Sequence, residues 1–238
     1  MNGEDMGNQH VNLFGALVDC QFWLYSKFSL RSFLFGLNPE ATPKFIQAHE
    51  GRWINRDTLV DLYAIAWPLI MAFFLWRLNS YGELKASLIG LLTAYRLWEL
   101  CGGVFYVLVM RARFDYPDAR KMIISLLAYL EPILLFAVLH GALSVILSAW
   151  YGLGLGAGYS LAGRVWAWNT TLHYSLACYT TVGWGEISAD RMSTMLLSDI
   201  ETVTGILMLT FTISRFVSAA LDATLRKRTE DTGREVSP

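Results

Sequence analysis

Long apolar stretches divide the chain into candidate membrane helices. Three of them cover residues 58–78, 86–110 and 122–150, and a fourth covers 193–221. About 20 consecutive apolar residues are enough for a helix to cross the hydrocarbon core of a bilayer. The pattern therefore predicts an all-α membrane protein with four transmembrane helices.

A different pattern separates the third span from the fourth. A glycine-rich loop covers residues 151–164, and the helix predicted over 165–178 is too short to span a bilayer. The segment 180–185 then carries alternating glycines. Non-helical backbone at membrane depth is tolerated only where protein or a water-filled cavity surrounds it. We therefore expect a re-entrant helix and loop between the last two spans.

Basic residues near the span ends predict the orientation. The loop 111–121 carries four arginines and lysines, whereas the loop 79–85 carries one lysine. Cytoplasmic loops are the ones enriched in these residues. The loop 111–121 is therefore expected inside the cell, and the mouth of the re-entrant loop outside. Both termini are then cytoplasmic, with residues 222–238 as a short tail.

The N-terminal region, residues 1–56, has a weaker pattern. Apolar residues recur at helical spacing between Asn12 and Arg31, with polar residues gathered on the opposite side. This spacing predicts an amphipathic helix in the cytoplasmic interface, ahead of two additional transmembrane helices in residues 57–110. Larger apolar residues interrupt the polar side, so a short fifth span or a helix packed under the bundle is also open.

Composition agrees with a membrane protein. Of the 238 residues 54% are hydrophobic and 16% charged, and the formal net charge is −1. The lipid bilayer is therefore the expected surrounding, and no basic tract has the size that would predict a nucleic-acid partner. The basic run Arg226–Arg228 directly follows an apolar helix and is typical of a membrane stop.

The segment Thr180–Gly185 reads Thr-Thr-Val-Gly-Trp-Gly, and Glu186 follows it. An ion filter needs carbonyl oxygens that point inward on successive residues, which ordinary helix and strand dihedrals do not supply. Gly183 and Gly185 relax this restriction because glycine tolerates φ > 0. By themselves, the residues indicate a site for a dehydrated monovalent cation.

This segment resembles the signature of potassium channels, usually Thr-Val-Gly-Tyr-Gly-Asp, with Trp184 in the place of Tyr and Glu186 in the place of Asp. The resemblance extends back through His173–Tyr179, which is similar to that family's pore helix. It extends forward to Glu201–Gly205, which is similar to the inner helix of bacterial channels. In all it covers residues 122–221, which by this resemblance form a pore domain with a pore helix over 165–178. It implies a potassium channel in a cell membrane, with a bacterial inner membrane as the expected location.

One pore loop does not surround an ion, so the resemblance implies a homotetramer with a shared pore. The expected K⁺ ligands are the carbonyls of Thr181, Val182, Gly183 and Trp184, together with the Thr181 hydroxyl. Permeant K⁺ ions are the only small partner implied, without a cofactor or a chemical step. The residues expected to shape or support the filter are Thr180, Tyr174, Gly185, Glu186 and Glu201.

Trp184 leaves a second function open. A tyrosine hydroxyl both donates and accepts hydrogen bonds, whereas an indole only donates one. The filter width that a tyrosine helps to hold in the family is therefore in question here. A non-selective monovalent cation channel of the same architecture is the alternative.

The fourth span carries the candidate cavity. A carboxylate in its outer half, Glu201, is costly unless it meets donors behind the pore helix or the filter. Gly205 is either a bending point or a site of close helix packing. Counted by helical turns from this glycine, the cavity and gate residues are Leu209, Ile213, Phe216 and Val217. An apolar ring near Phe216 would close the pore by dewetting.

Ionisable residues also lie inside the other spans. Arg96 and Glu99 are three residues apart in the second span, so they share a face, and Glu131 of the third span is a candidate partner. His140 is either a packed core residue or a pH sensor that gates the pore. A membrane-embedded enzyme or scaffold built on these four residues is a further alternative, although they show no nucleophile–base or metal-ligand spacing.

Overall fold

The structure, a computed structural model, describes residues 56–110, 118–161, 165–183 and 186–235. The predicted amphipathic helix near the N-terminus lies outside these described residues. Contacts between residues divide the described chain into two units. One consists of residues 56–60 and 99–110, and the other of residues 61–98 and everything described from 118 onward.

The chain is mostly helical, and two short strands accompany the helices. The strands pair antiparallel, with Tyr159 opposite Ala189 and Ser160 opposite Ser188. A single 3₁₀ turn, Leu78–Ser80, directly follows the first helix. In chain order the elements are α1 Arg56–Arg77, α2 Glu83–Met110, α3 Asp118–Tyr151, β1 Tyr159–Ser160, α4 Trp168–Tyr179, β2 Ser188–Ala189 and α5 Met192–Glu235.

Among the described residues, three helical segments are long and apolar enough to cross a membrane. They are Leu62–Ser80, Ser125–Tyr151 and Met192–Ser218, which fall on the first, third and fourth predicted spans. The helix α2 coincides with the second predicted span but is not one of the three. A helical membrane protein is thus supported, while a fourth span stays a prediction.

Two helix boundaries differ from the sequence prediction. The short helix α4 begins at Trp168 instead of residue 165, and its first backbone bond runs from the Thr171 amide to the Ala167 carbonyl. At the other end of the pore region, α5 continues to Glu235, past the predicted end at residue 221. No proline lies between that point and Pro238, so every backbone amide along this stretch is able to donate a helical hydrogen bond.

The core of the larger unit joins its long helices. Met71 of α1, Ile89 of α2 and Leu135 of α3 are buried in one cluster, and Leu172 of α4 packs against it. Lipid tails are as apolar as these side chains, so close packing rather than transfer from water stabilises such contacts within a membrane. The short helix α4 is thereby fixed against the long ones.

A second cluster lies around the strands. Tyr159, Trp166, Tyr174 and Ile187 are buried together, and the rings of Tyr159 and Trp166 stack at 4.5 Å between centroids. The amide of Asp190 also donates to the carbonyl of Gly158 at 3.0 Å. This cluster and the β1–β2 pair tie the segment before α4 to the segment that follows residues 180–185. The sequence pattern predicted neither strand.

At Gly205 the backbone of α5 lies close to the backbone of α4, which leaves no room for a larger residue. A Cβ atom added at Gly205 would lie 2.1 Å from the carbonyl oxygen of Tyr179, at the end of α4. The structure therefore shows close helix packing at Gly205, the second of the two predicted alternatives. The helix runs continuously through this position, and a bend there stays a prediction.

We expect Gly205→Ala to lower stability, because the backbone of Tyr179 has to move away from the new methyl group. Overpacking of this kind costs about 1–3 kcal/mol. Gly90→Ala is a matched control inside α2, since its Cβ would meet only Ala142 Cβ at an ordinary 3.5 Å. Thermal unfolding of both variants in detergent measures the difference. Equal midpoints for the two variants would contradict the packing at Gly205.

Candidate ion-binding site

The segment after α4 folds back onto that helix through its amides. The Thr181 N–H donates to the Cys178 carbonyl at 3.1 Å, and the Val182 N–H donates to the Ala177 carbonyl at 3.1 Å. The Gly183 N–H shares the Ala177 carbonyl at 3.4 Å. These backbone donors are therefore occupied by the end of the short helix.

The carbonyl oxygens of the same segment are placed differently. Within the described part of the chain, no hydrogen bond is accepted by the carbonyls of Thr181, Val182 or Gly183. All three residues are exposed in the single chain, with Val182 exposed to 59%. Exposed carbonyls with no protein donor are the chemical groups that replace water around a cation.

Backbone dihedrals show how the segment turns. Gly183 has a φ of 58°, which agrees with the sequence argument for glycine at this position. Thr181 also has a positive φ, 59°, which is unusual for a residue with a branched Cβ and costs about 1–3 kcal/mol. Thr180 lies directly after α4, and its hydroxyl donates back to the Leu176 carbonyl at 2.6 Å. Trp184 and Gly185 lie outside the described residues, and Glu186 is exposed.

The position of α4 gives the segment its electrostatics. The helix ends at Tyr179, so its carboxyl end and partial negative charge lie beside Thr180 and Thr181. A cation near these residues would be stabilised by that charge. The arrangement suits a cation and disfavours an anion.

A buried carboxyl group lies behind α4. Glu201 of α5 contacts the Ser175 hydroxyl through Oε1, and its Oε2 lies 2.8 Å from His140 Nε2. The other ring nitrogen of His140 lies 2.6 Å from the Tyr159 hydroxyl. Glu201, His140 and Ser175 are each fully buried. The side chains thus connect α3, α4, α5 and the loop before α4 in one hydrogen-bonded chain.

Further contacts fix α4 on both sides. Ser175 also lies 2.8 Å from the Ile133 carbonyl of α3. On the α5 side, the hydroxyls of Tyr174 and Ser198 lie 2.6 Å apart, and the Thr202 hydroxyl donates to the Cys178 carbonyl at 3.3 Å. Tyr174 of α4 and Glu201 of α5 therefore both take part in the contacts that hold α4, and their role in supporting a filter stays a prediction.

Burial changes the acid–base chemistry of the aromatic residues here. Burial, with smaller effects from the neighbouring Tyr174 and Glu201, raises the pKa of Tyr159 well above its ordinary value. Burial likewise raises the pKa of Tyr174, partly offset by its hydrogen bond to Ser198. Both hydroxyls therefore stay protonated at neutral pH and above, and both remain hydrogen-bond donors.

The predicted cavity residues lie on the more exposed side of α5. Leu209, Ile213 and Val217 are exposed to 45%, 53% and 52% in the single chain, and Phe216 is half-buried. They share this exposure with the lipid-accessible residues of the same helix. Their role in a cavity or a gate stays a prediction.

The intramembrane charges form a pair in the larger unit. Arg96 of α2 donates from Nε to Glu131 Oε1 at 2.7 Å and from Nη2 to Oε2 at 3.0 Å. Its Nη1 donates to the Tyr63 hydroxyl at 2.9 Å, and the guanidinium carbon lies 5.2 Å from the ring centroid of Trp67. Glu99 is buried in the smaller unit, and its pairing stays a prediction.

Three of the residues that form these side-chain contacts have no role in the sequence prediction. The pattern places Tyr159 in a loop, Ser175 in the pore helix and Tyr63 in an apolar span. His140 is a sequence candidate, but its link to Glu201 joins residues 61 positions apart. No spacing rule connects side chains so distant along the chain. The described residues contain no group of three His, Cys, Asp or Glu side chains that could hold a metal ion.

Comparison with known families agrees with this geometry. Residues 133–222 match a family model described as an ion channel. The match includes most of α3, the loop with β1, α4, the segment 180–185, β2 and the first part of α5. It supports an ion channel of the pore-loop cation class, which is a transport protein embedded in membrane lipid. Neither a curated protein nor a solved structure matches the chain significantly.

We expect Glu131→Gln to destabilise the protein strongly, because it leaves the Arg96 guanidinium buried without its counter-charge. Breaking one side of a buried pair costs about 3–5 kcal/mol. Glu83→Gln is the matched control, since Glu83 contacts Trp150 at an exposed position. A single exposed hydrogen bond of this kind contributes about 1 kcal/mol. Chemical unfolding in detergent compares the variants, and equal losses would contradict the buried pair.

Proposed function

We propose that four copies of this chain form a potassium-selective channel with one shared pore. The observation that supports it most is the backbone of residues 181–183, whose amides bond to α4 while their carbonyls meet no donor among the described residues. Carbonyl oxygens from four chains around an axis would replace the water shell of K⁺. One exposed segment cannot enclose an ion, so the exposure of these residues in the single chain favours an assembly.

The proposed ligands are the carbonyls of Thr181, Val182, Gly183 and Trp184, with the Thr181 hydroxyl below them. Glu201 of α5 supports α4 from behind, Tyr174 ties α4 to Ser198 of α5, and Glu186 adds negative potential at the outer mouth. In this proposal Gly205 keeps α5 close to α4, and the exposed apolar residues from Leu209 to Val217 line the cavity. The Arg96–Glu131 pair is structural and does not contact the ion.

The proposed membrane arrangement follows the charge pattern. Four spans place both termini in the cytoplasm and the β1–β2 loops outside the cell, in a bacterial inner membrane. A non-selective channel is the second candidate, because the residue at position 184 is a tryptophan, which donates one hydrogen bond and accepts none. Both candidates share the architecture and differ only in the selectivity of the filter.

We expect potassium to pass at least about tenfold better than sodium, since a filter of carbonyl oxygens favours the larger, more easily dehydrated ion. Purified protein in liposomes with opposing K⁺ and Na⁺ gradients gives the ratio from the reversal potential. Empty liposomes supply the baseline. Equal permeability would leave the non-selective channel as the function, and absence of any flux would reject both.

We expect Gly183→Ala to act dominantly when mixed with the parent chain. Alanine at a φ of 58° is strained, and one distorted filter segment would disrupt ion sites that all four chains share. With equal expression and random mixing, about one sixteenth of tetramers would be wholly parental, so current should fall to roughly that fraction.

Gly82→Ala is the matched control for this mixture. A Cβ at either glycine meets nothing within 4 Å, but only Gly183 has a positive φ. The control should leave the current unchanged at every mixing ratio. An independent pore in each chain would retain about half of the current with Gly183→Ala, so a linear decline at constant surface expression would refute the shared pore.

A further inference from the structure

The hydrogen-bonded chain behind α4 requires a definite number of protons. It contains four contacts: Ile133 carbonyl to Ser175 hydroxyl, Ser175 hydroxyl to Glu201 Oε1, Glu201 Oε2 to His140 Nε2, and His140 Nδ1 to Tyr159 hydroxyl. A hydrogen bond needs one proton between its two heavy atoms. Four protons are therefore required if every contact is a hydrogen bond.

Ser175 limits how these protons are shared. The Ile133 carbonyl is an acceptor only, so the hydroxyl proton of Ser175 is needed for that contact at 2.8 Å. The contact between Ser175 Oγ and Glu201 Oε1 then has no proton unless the carboxyl group supplies one. A protonated Glu201 does supply it, with Oε1–H donating to the serine oxygen.

The two contacts of His140 are consistent with the same protonation state of Glu201. A neutral carboxylic acid keeps Oε2 as an acceptor for the His140 Nε2–H, and the bare Nδ1 of a neutral imidazole accepts the Tyr159 O–H. All four contacts are then satisfied by one proton each. No proton is left over.

The ion-pair alternative satisfies fewer contacts. With Glu201 ionised and His140 charged, Nδ1–H donates to the Tyr159 oxygen, and the tyrosine proton has no acceptor among the described residues. The single proton of Ser175 then faces two acceptors, Ile133 and Glu201. A neutral pair also avoids placing two charges at membrane depth, where desolvation is expensive.

We propose that Glu201 is a neutral carboxylic acid in this arrangement and that loss of its proton at higher pH releases the support that α5 gives to α4 and the filter. The protonation state stands on hydrogen-bond geometry alone. The effect on conduction deepens the proposed channel function and rests on it. His140, Ser175 and Tyr159 act here as positioning residues.

The neighbouring titratable groups do not replace Glu201 in this role. Tyr159 from β1 and Tyr174 from α4 face His140 at ring distances of 5.7 and 5.0 Å, and both have raised pKa values because they are buried. Burial, reinforced by Glu201, raises the pKa of the Cys178 thiol in α4 to about 11. Asp190, after β2, has the smallest effect among the neighbours that raise the pKa of Tyr159. The pH response is therefore assigned to the carboxyl proton of Glu201, which donates to Ser175.

Infrared spectroscopy of the full-length protein in lipid tests the protonation state without ion flux. A carboxylic acid and a carboxylate have well-separated C=O bands, so the parent-minus-variant spectrum for Glu201→Gln should show an acid band at neutral pH. The band should be lost as pH rises. Asp199→Asn, an exposed residue on the same helix, is the matched control and should leave the acid band in place. Absence of an acid band from Glu201 at neutral pH overturns the proposal.

Flux measured across pH tests the consequence. The amide side chain introduced by Glu201→Gln has an N–H₂ that donates to Ser175 and a carbonyl that accepts from His140, so all four contacts persist without a titratable proton. Potassium flux of the parent should fall as pH rises, whereas that of Glu201→Gln should stay constant. An equal decline in both overturns the regulatory part. If the parent shows no flux, the channel function fails while the infrared result still decides the protonation.

Ser175→Ala covers the case in which Glu201→Gln does not fold. Alanine removes the acceptor of the carboxyl proton, so the acid band of Glu201 should shift in position. An unchanged band would mean that Glu201 does not donate to Ser175 and would overturn the assignment. His173→Gln is a control at the second described histidine, whereas His140 Nε2 lies 2.8 Å from Glu201 Oε2. Loss of the pH response in His173→Gln would assign the response elsewhere and overturn the role of Glu201 in it.

Discussion

The fully buried carboxyl group of Glu201 is the constraint on which the packing of α3, α4 and α5 depends. At membrane depth no water is present to satisfy it, so donors and acceptors from other elements must meet it. Ser175 and His140 do so, and they belong to α4 and α3. The position of the short helix is thereby coupled to both long helices. Since the segment 180–183 bonds back to α4, its geometry follows from the same constraint.

The two strands add a second fixed point. Stacking of Tyr159 on Trp166, and the pairing of β1 with β2, hold the chain before α4 beside the chain after residues 180–183. Tyr159 takes part in both systems, since its hydroxyl contacts His140 and its ring lies in the cluster around the strands. A segment with strained backbone needs support at both ends. Here one end is supported by α4 and the other by the strands.

Helices α1 and α2 are connected to α4 by contacts within a single turn of α3. Arg96, which also contacts Tyr63 of α1, pairs with Glu131, and two residues later the Ile133 carbonyl meets Ser175 of α4. The contacts therefore run without a break from α1 through α2 and α3 to α4.

The sequence by itself determined the helical membrane class and three helices apolar enough to span, because hydropathy over about 20 residues is a local property of the chain. The tertiary structure decided how Glu201, His140, Tyr159 and Ser175 combine. It also decided that Gly205 lies against the Tyr179 carbonyl. These residues are far apart along the chain, and hydrogen bonding between them depends on helix packing, which no local pattern encodes. Periodicity identifies the faces of a helix, but only packing determines which side chain each face meets.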